Sequence, residues 1–195
     1  MKNFTQFINK ELTSYDESKK YHALQINHSM MLELFDSTLT EGDDSLRQEV
    51  IDKIRAGDWE SPQKPESFAK SLGLTKHKEM LTMYTVDELS HMKLFKLKGF
   101  NLGFALKEKD GKFQEIVALH NNEPSIKNIG EILMDAAIHL GGRFLDHFDS
   151  PKLTALYTKH NFQEYQRDSF NPEYDPEGKF RAKYGPLDVV YRKRS

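Results

Sequence analysis

Residues 120–162 read HNNEPSIKNIGEILMDAAIHLGGRFLDHFDSPKLTALYTKHNF, and the changes of period inside this stretch decide the fold. It opens at the end of a β-type run, Phe113 to His120. From Ile129 to Leu140 the apolar period switches from two to about 3.6, which puts Ile129, Leu133, Ala136, Ala137 and Leu140 on one helical face. Gly141-Gly142 stops that helix. Phe144 to Phe148 is a short strand. Ser150 then offers an N-cap and Pro151 a first helical position, with Leu153, Leu156 and Tyr157 lining the buried side of a second helix.

Towards the N-terminus, Lys109-Asp110-Gly111-Lys112 is a hairpin turn, because Asp-Gly accepts the positive φ angles that tight turns need. It joins strands predicted over Asn101–Lys107 and Phe113–His120. Met92 to Lys98 alternates apolar and basic residues, as a half-buried strand does. Towards the C-terminus, Phe162–Asp168 and Leu187–Arg192 are the last strands, separated by a Pro- and Gly-containing excursion from Asn171 to Pro186. Strands in this order, interrupted by two helices, make a mixed α/β sheet with helices packed on it.

The N-terminal third is helical in pattern. Phe4, Phe7, Ile8 and Leu12 share one face, and Leu24, Met31, Leu34 and Phe35 another. Asp43, Asp44 and Ser45 are N-cap candidates for a third helix, with Gln48 as capping-box partner and Leu46, Val50, Ile51 and Ile54 as its stripe, ending near Gly57. Gly57 to Pro65 reads as a linker or exposed loop. The expected organisation is a helical segment over 1–85, part of or packed on the core, and an α/β domain over 86–195.

The composition bounds function. With 28 Lys and Arg against 30 Asp and Glu, the formal net charge is −2, so no global field draws the chain to nucleic acid or an anionic membrane. The absence of Cys removes thiol nucleophiles and thiolate metal sites, and fits a reducing compartment. The first residues, MKNFTQFINKEL, lack the apolar core of a signal peptide, and no run is apolar enough to span a bilayer. The expectation is a cytoplasmic protein. The sequence allows His120, His139 and His147 to converge in three dimensions, but no HExxH or similar helix spacing accompanies them, and no metal is expected. A serine hydrolase is set aside because there is no GxSxG elbow.

The element order and two local patterns resemble the GNAT superfamily of acyl-CoA-dependent N-acyltransferases over Met92 to Arg192. Ser125-Ile126-Lys127-Asn128-Ile129-Gly130-Glu131-Ile132-Leu133 matches the family's R-G-x-G-I-G-type turn before its central helix. Ser125 stands where Arg or Gln is usual and Asn128 where the first Gly is usual, although Asn tolerates positive φ. Leu153 to Phe162 matches A-x-x-L-Y-x-x-x-G-F, with Asn161 in place of Gly. The Leu145–Asp149 and His120–Asn122 blocks, with Phe170, Asn171, Tyr174, Pro176 and the closing Pro186–Tyr191, resemble small GNAT-like proteins encoded by bacteriophages.

The resemblance implies a GNAT-like, largely antiparallel sheet with helices on both faces and acetyl-CoA, or another acyl-CoA, as co-substrate. Asn128, Ile129, Gly130 and Glu131 would offer backbone N–H groups to the pyrophosphate, with Lys127 adding charge. Tyr157 would protonate the departing thiolate. His120 is a candidate base for the acceptor amine, and Glu123 can act through a water. The acceptor would be a small-molecule or protein amine, and a homodimer is compatible with the sequence. Two other classes stay open. One is an inactive GNAT-like fold serving as a phage-associated binding, inhibitory or structural protein. The other is DNA contact by a helix-turn-helix around Phe68–Lys76, whose second helix, Lys76 to Tyr84, carries Lys76, His77 and Lys78 but also Glu79.

Overall fold

The computed structural model describes residues 41–76, 80–123 and 125–195. The helices expected over Phe4–Leu12 and Leu24–Phe35 lie outside these residues. Two compact units are distinguished: residues 38–170 with 188–195 carry the sheet, and 171–187 belong to the other.

Helix α1 (Glu41–Ala56) starts before the predicted caps, so Ser45 is internal and Gln48 bonds Asp52 one turn on instead of capping. Its stripe is as read: Val50, Ile51 and Ile54 are buried, and Gly57 at φ 70° ends it. Of the following segment, Ser61 to Lys64 form the exposed loop expected, but the residues before them are tied to the sheet. Trp59 bridges Leu97, Glu60 N donates to Lys96 O and Lys98 N donates to Asp58 O, so residues 58–60 are stitched to the outer edge of the first strand. The Trp59 indole packs edge-on against Phe95 and Phe104. An aromatic side chain on a Pro-rich stretch supplied the burial that the turn signals concealed.

Helix α2 (Pro65–Leu72) ends at Gly73 and α3 (Val86–Ser90) begins in a capping box from Thr85. Between them, Lys76 lies in a turn, residues 77–79 fall outside the description, and Leu81 to Thr85 are not helical. No second helix of a helix-turn-helix is therefore found among the described residues.

The sheet comprises β1 (Lys93–Lys96), β2 (Leu102–Lys109), β3 (Lys112–Asn121), β4 (Phe144–Phe148), β5 (Gln163–Asp168) and β6 (Val189–Lys193), in the order β1-β2-β3-β4-β6-β5. It is a mixed α/β fold with an open sheet of six strands. Every pairing is antiparallel except β3 with β4, which are joined by α4 (Gly130–His139). Helix α5 (Pro151–Lys159) connects β4 to β5 and is N-capped by Ser150 with Pro151 at its first position. Asp110 and Gly111, at φ 54° and 73°, close the β2–β3 hairpin.

Strand alternation sorts the core into two clusters. Leu102, Phe104 and Leu106 of β2 join Leu145, Phe162, the α1 stripe, Ile129, and Leu133, Met134 and Ala137 of α4. Ala105, from the opposite face of β2, joins Val117, Ala118, Leu94, Phe68 and Leu72 of α2 and Leu89 of α3. Helices thus cover both faces of the β1–β3 half of the sheet. Phe162 was expected in β5; it lies just before the strand and is buried in the first cluster.

Within residues 171–187, Asn171 caps a single 3₁₀ turn (Pro172–Tyr174), and the buried Asp175 accepts from the N–H groups of Phe180 and Arg181 at the start of α6 (Lys179–Tyr184). The last strand starts at Val189, two residues later than its apolar run suggested.

Candidate active site at the diverging strands β3 and β4

β3 and β4 meet in one ladder pair, Glu115 with Phe144. A continuous parallel ladder would carry the pairing on towards His120 and Phe148, and it does not. The cause is visible in β3, where the register against β2 slips between Gly103–His120 and Ala105–Val117, and Ala118 sits at φ 51°. This is a bulge, which bends its strand and takes ladder groups out of register. Two neighbouring strands consequently part at their C-terminal ends, which is where open α/β sheets take ligands.

The chain leaves β3 at this end and enters α4 through residues 122–129. Asn128 adopts φ 56°, a conformation that Asn tolerates better than most residues. The N-cap residue Ile129 supplies no side-chain hydrogen bond, so its own side chain does not cap the first N–H groups of α4. A Cβ on Gly130 would meet nothing within 4 Å, so space lies in front of this turn. These features suit a phosphate group. The Glu131 carboxylate turns aside to Lys159 Nζ at 2.7 Å, and the Lys127 carbonyl accepts from Arg47 Nε at 3.4 Å.

The HNNE run holds this loop together. His120 is buried, its Nδ1 lies 2.8 Å from Ala118 O, and its Nε2 lies 2.8 Å from Ser71 Oγ. A carbonyl only accepts, so Nδ1 carries the proton and the Ser71 hydroxyl donates to Nε2. Both ring nitrogens are engaged inside the protein. Burial pushes the His120 pKa below its ordinary value, with the nearby Lys96 adding and the Ala118 bond opposing. Asn121 Nδ2 donates to Ile126 O, Asn122 Nδ2 to Ser71 O, and Glu123 Oε1 receives Asn101 N at 2.5 Å. Sequence spacing could not show that Ser71, 49 residues away, would face His120.

On the other strand, His147 Nδ1 donates to Phe148 O at 2.7 Å and Nε2 accepts from Arg192 Nε at 2.8 Å. Its pKa is likewise lowered by burial. The Tyr157 ring packs at a tilt against this imidazole, with centroids 4.8 Å apart, and edge-on against Phe162 at 6.5 Å. Burial, reinforced by the charge of Asp146 and opposed by Arg192, pushes the Tyr157 pKa up to about 12. Such a phenol is a proton donor throughout the physiological range.

Asp146, which the sequence did not single out, precedes His147 on β4. It points to the face of β4 opposite Leu145 and His147, beside Tyr191 of β6. The surrounding protein and the charge of Glu115 push its carboxyl pKa up, against its own backbone N–H and Lys107 and Lys109. The only signal for it was its place in the Leu145–Asp149 block.

Of the residues read as a site, Asn128 to Glu131 occur together at the start of α4, and Tyr157 stands against β4. His120 and Glu123 serve the loop between. Among the described residues no group of three or more His, Asp or Glu could hold a metal ion, and no helix is long and apolar enough to cross a membrane. No protein-family model matches the chain, and neither a curated protein nor a solved structure is significantly similar to it.

Proposed function

We propose that this chain is an acyl-CoA-dependent N-acyltransferase of GNAT type, transferring an acyl group, most simply acetyl, to an amine. The observation that carries the reading is the parting of β3 from β4 at the end where α4 begins. An unpaired strand edge accepts an extended, amide-bearing chain by main-chain hydrogen bonding, and the arm of coenzyme A is such a chain. The N–H groups of Gly130 and Glu131 would receive the pyrophosphate, with Lys127 and the Asn128 turn beside them. Tyr157, protonated and pressed against His147, is the residue available to return a proton to the departing thiolate.

Calorimetric titration with acetyl-CoA tests the reading. Micromolar binding that Gly130→Asp abolishes is expected; no heat at millimolar acetyl-CoA overturns it. The variant is chosen because Asp at a first helical position is favourable to the helix, so lost binding would report repulsion of the pyrophosphate and not unfolding.

A further inference from the structure

Arg192 of β6 pairs across the sheet with Leu145 of β4 and Glu164 of β5, which puts its side chain on the face that α5 covers. It is only 6% exposed. Nε donates to His147 Nε2 at 2.8 Å, and Nη1 donates to Phe162 O at 3.1 Å and to Thr158 Oγ1 at 3.4 Å. A carbonyl, a hydroxyl and a neutral imidazole carry no charge to balance the guanidinium. Glu164, opposite it in the ladder, is ion-paired to Arg167 instead, and among the described residues Arg192 has no ion pair. A buried cation without a carboxylate lowers stability, and an apolar side chain of similar volume would fill the same space without that penalty. Joining β6 to the end of α5 does not require a charge.

What the charge does have around it is Tyr157. His147 packs its ring on Tyr157 with centroids 4.8 Å apart, Phe162 packs edge-on against it at 6.5 Å, and Thr158 is the next residue of α5. Each partner of Arg192 therefore adjoins the phenol. His147 Nε2 receives the guanidinium N–H while Nδ1 donates to Phe148 O, so the imidazole is held in one neutral tautomer and has no nitrogen left to exchange a proton with Tyr157. The Tyr157 hydroxyl has no hydrogen-bond partner among the described residues, which leaves it to meet a ligand atom. The Arg192 charge already works against the burial that pushes this phenol up.

Resting on the acyltransferase reading, we propose that Arg192 is the positioning residue of Tyr157: through His147, Thr158 and Phe162 it fixes the phenol, and it supplies the positive charge beside which the phenolate forms. The neutral acceptor nitrogen attacks the thioester carbonyl, a C–N bond forms, and the C–S bond breaks with its electron pair left on sulfur. The Tyr157 proton goes to that sulfur. The phenolate then takes the proton that the nitrogen loses, which restores the phenol and leaves an amide and a thiol as the products. A charge already fixed in place before the reaction stabilises the anion without reorganising, and this is where a buried, unpaired guanidinium offsets its own penalty.

Thiol release from acetyl-CoA by the full chain is the assay, with hydroxylamine as acceptor because it is neutral at pH 7 and needs no base to activate it. Arg192→Gln is expected to lower kcat about tenfold or more with KM for acetyl-CoA unchanged, and Arg192→Lys to recover most of the loss because the charge is kept. In the Tyr157→Phe background, Arg192→Gln should lower kcat no further, a coupling that a purely structural residue does not show. His147→Phe keeps a ring against Tyr157 but removes the acceptor of Arg192; it should show the same coupling and carries the comparison if Arg192→Gln fails to fold. Equal losses in both backgrounds, or Arg192→Lys no better than Arg192→Gln, overturn the role of Arg192 and leave the acyltransferase reading standing. A wild type that binds acetyl-CoA yet releases no thiol overturns it too, since the acid acts on the leaving group whatever the acceptor. Absence of acetyl-CoA binding to wild type brings down the reading on which the proposal rests.

Discussion

The Ser71 hydroxyl donates to His120 Nε2 across 2.8 Å, joining α2 to the end of β3 in a buried pair. The Phe68 ring packs edge-on against the same imidazole at 5.2 Å, and Asn122 holds the Ser71 carbonyl. The pair resembles a nucleophile with its base, but both groups are enclosed. Its consequence is mechanical, because it fixes the strand end from which the α4 turn departs.

Ser71→Ala leaves the Nε2 of a buried imidazole without a donor. The expected loss is about 1–3 kcal/mol of unfolding free energy, read from urea denaturation, with the secondary-structure signal of the folded state unchanged. A loss no larger than that of an exposed serine such as Ser90 would show that the pair contributes nothing.

Acid should destabilise the protein from near neutrality. His120 and His147 both have folded pKa values below the ordinary 6.5, so the unfolded chain binds more protons than the folded one once the pH falls through that value. Their contribution is complete above the unfolded pKa and is lost progressively as pH falls below it. Each histidine adds up to about 1.4 kcal/mol per pH unit to the slope within this window. Urea midpoints between pH 7.5 and 5 should therefore drop steeply, and His147→Gln should remove about one proton from the slope.

Gly130→Asp separates stability from binding. No atom lies within 4 Å of the new Cβ, and a carboxylate in the first turn favours α4, so the melting temperature should hold or rise slightly. Acetyl-CoA binding should vanish. A variant that melts lower while binding normally would contradict both parts.

Tyr157→Phe should lower kcat for acyl transfer about 10²-fold or more while leaving the affinity for acetyl-CoA unchanged, the usual scale for a general acid. The phenol pKa of about 12 means that its loss should not alter the pH profile below pH ~9.

Gly103→Ala tests the packing that lets β2 lie against β1. A Cβ at this position would collide with the Phe95 carbonyl, which is fixed backbone, so β1 must shift. A loss of about 1–3 kcal/mol is expected in chemical denaturation.

The elements that were legible beforehand are those whose cause is local. Asp110-Gly111 turns because those residues accept positive φ, Ser150-Pro151 starts α5 because a hydroxyl caps while Pro needs no donor, and Asn128 and Asn161 adopt φ of 56° and 63° where Gly is common. Burial could mislead the same reading. Trp59 sits among prolines and a cis Ser61–Pro62 bond, yet it packs on Phe95 and Phe104 and bridges Leu97, because apolar area buried against distant strands outweighs the local preference for a loop.

At residues 120–162, the sequence by itself determined the succession of strand, turn, helix, strand and helix, since period, caps and stops act over a few residues. Only the tertiary structure decided the insertion of β6 between β4 and β5, the single pairing of β3 with β4, the closure of His120 on Ser71, and the exposure of Asp146. Those relations join residues far apart in the chain, and their partners are chosen by shape, hydrogen-bond completion and charge in three dimensions, for which a linear pattern carries no term.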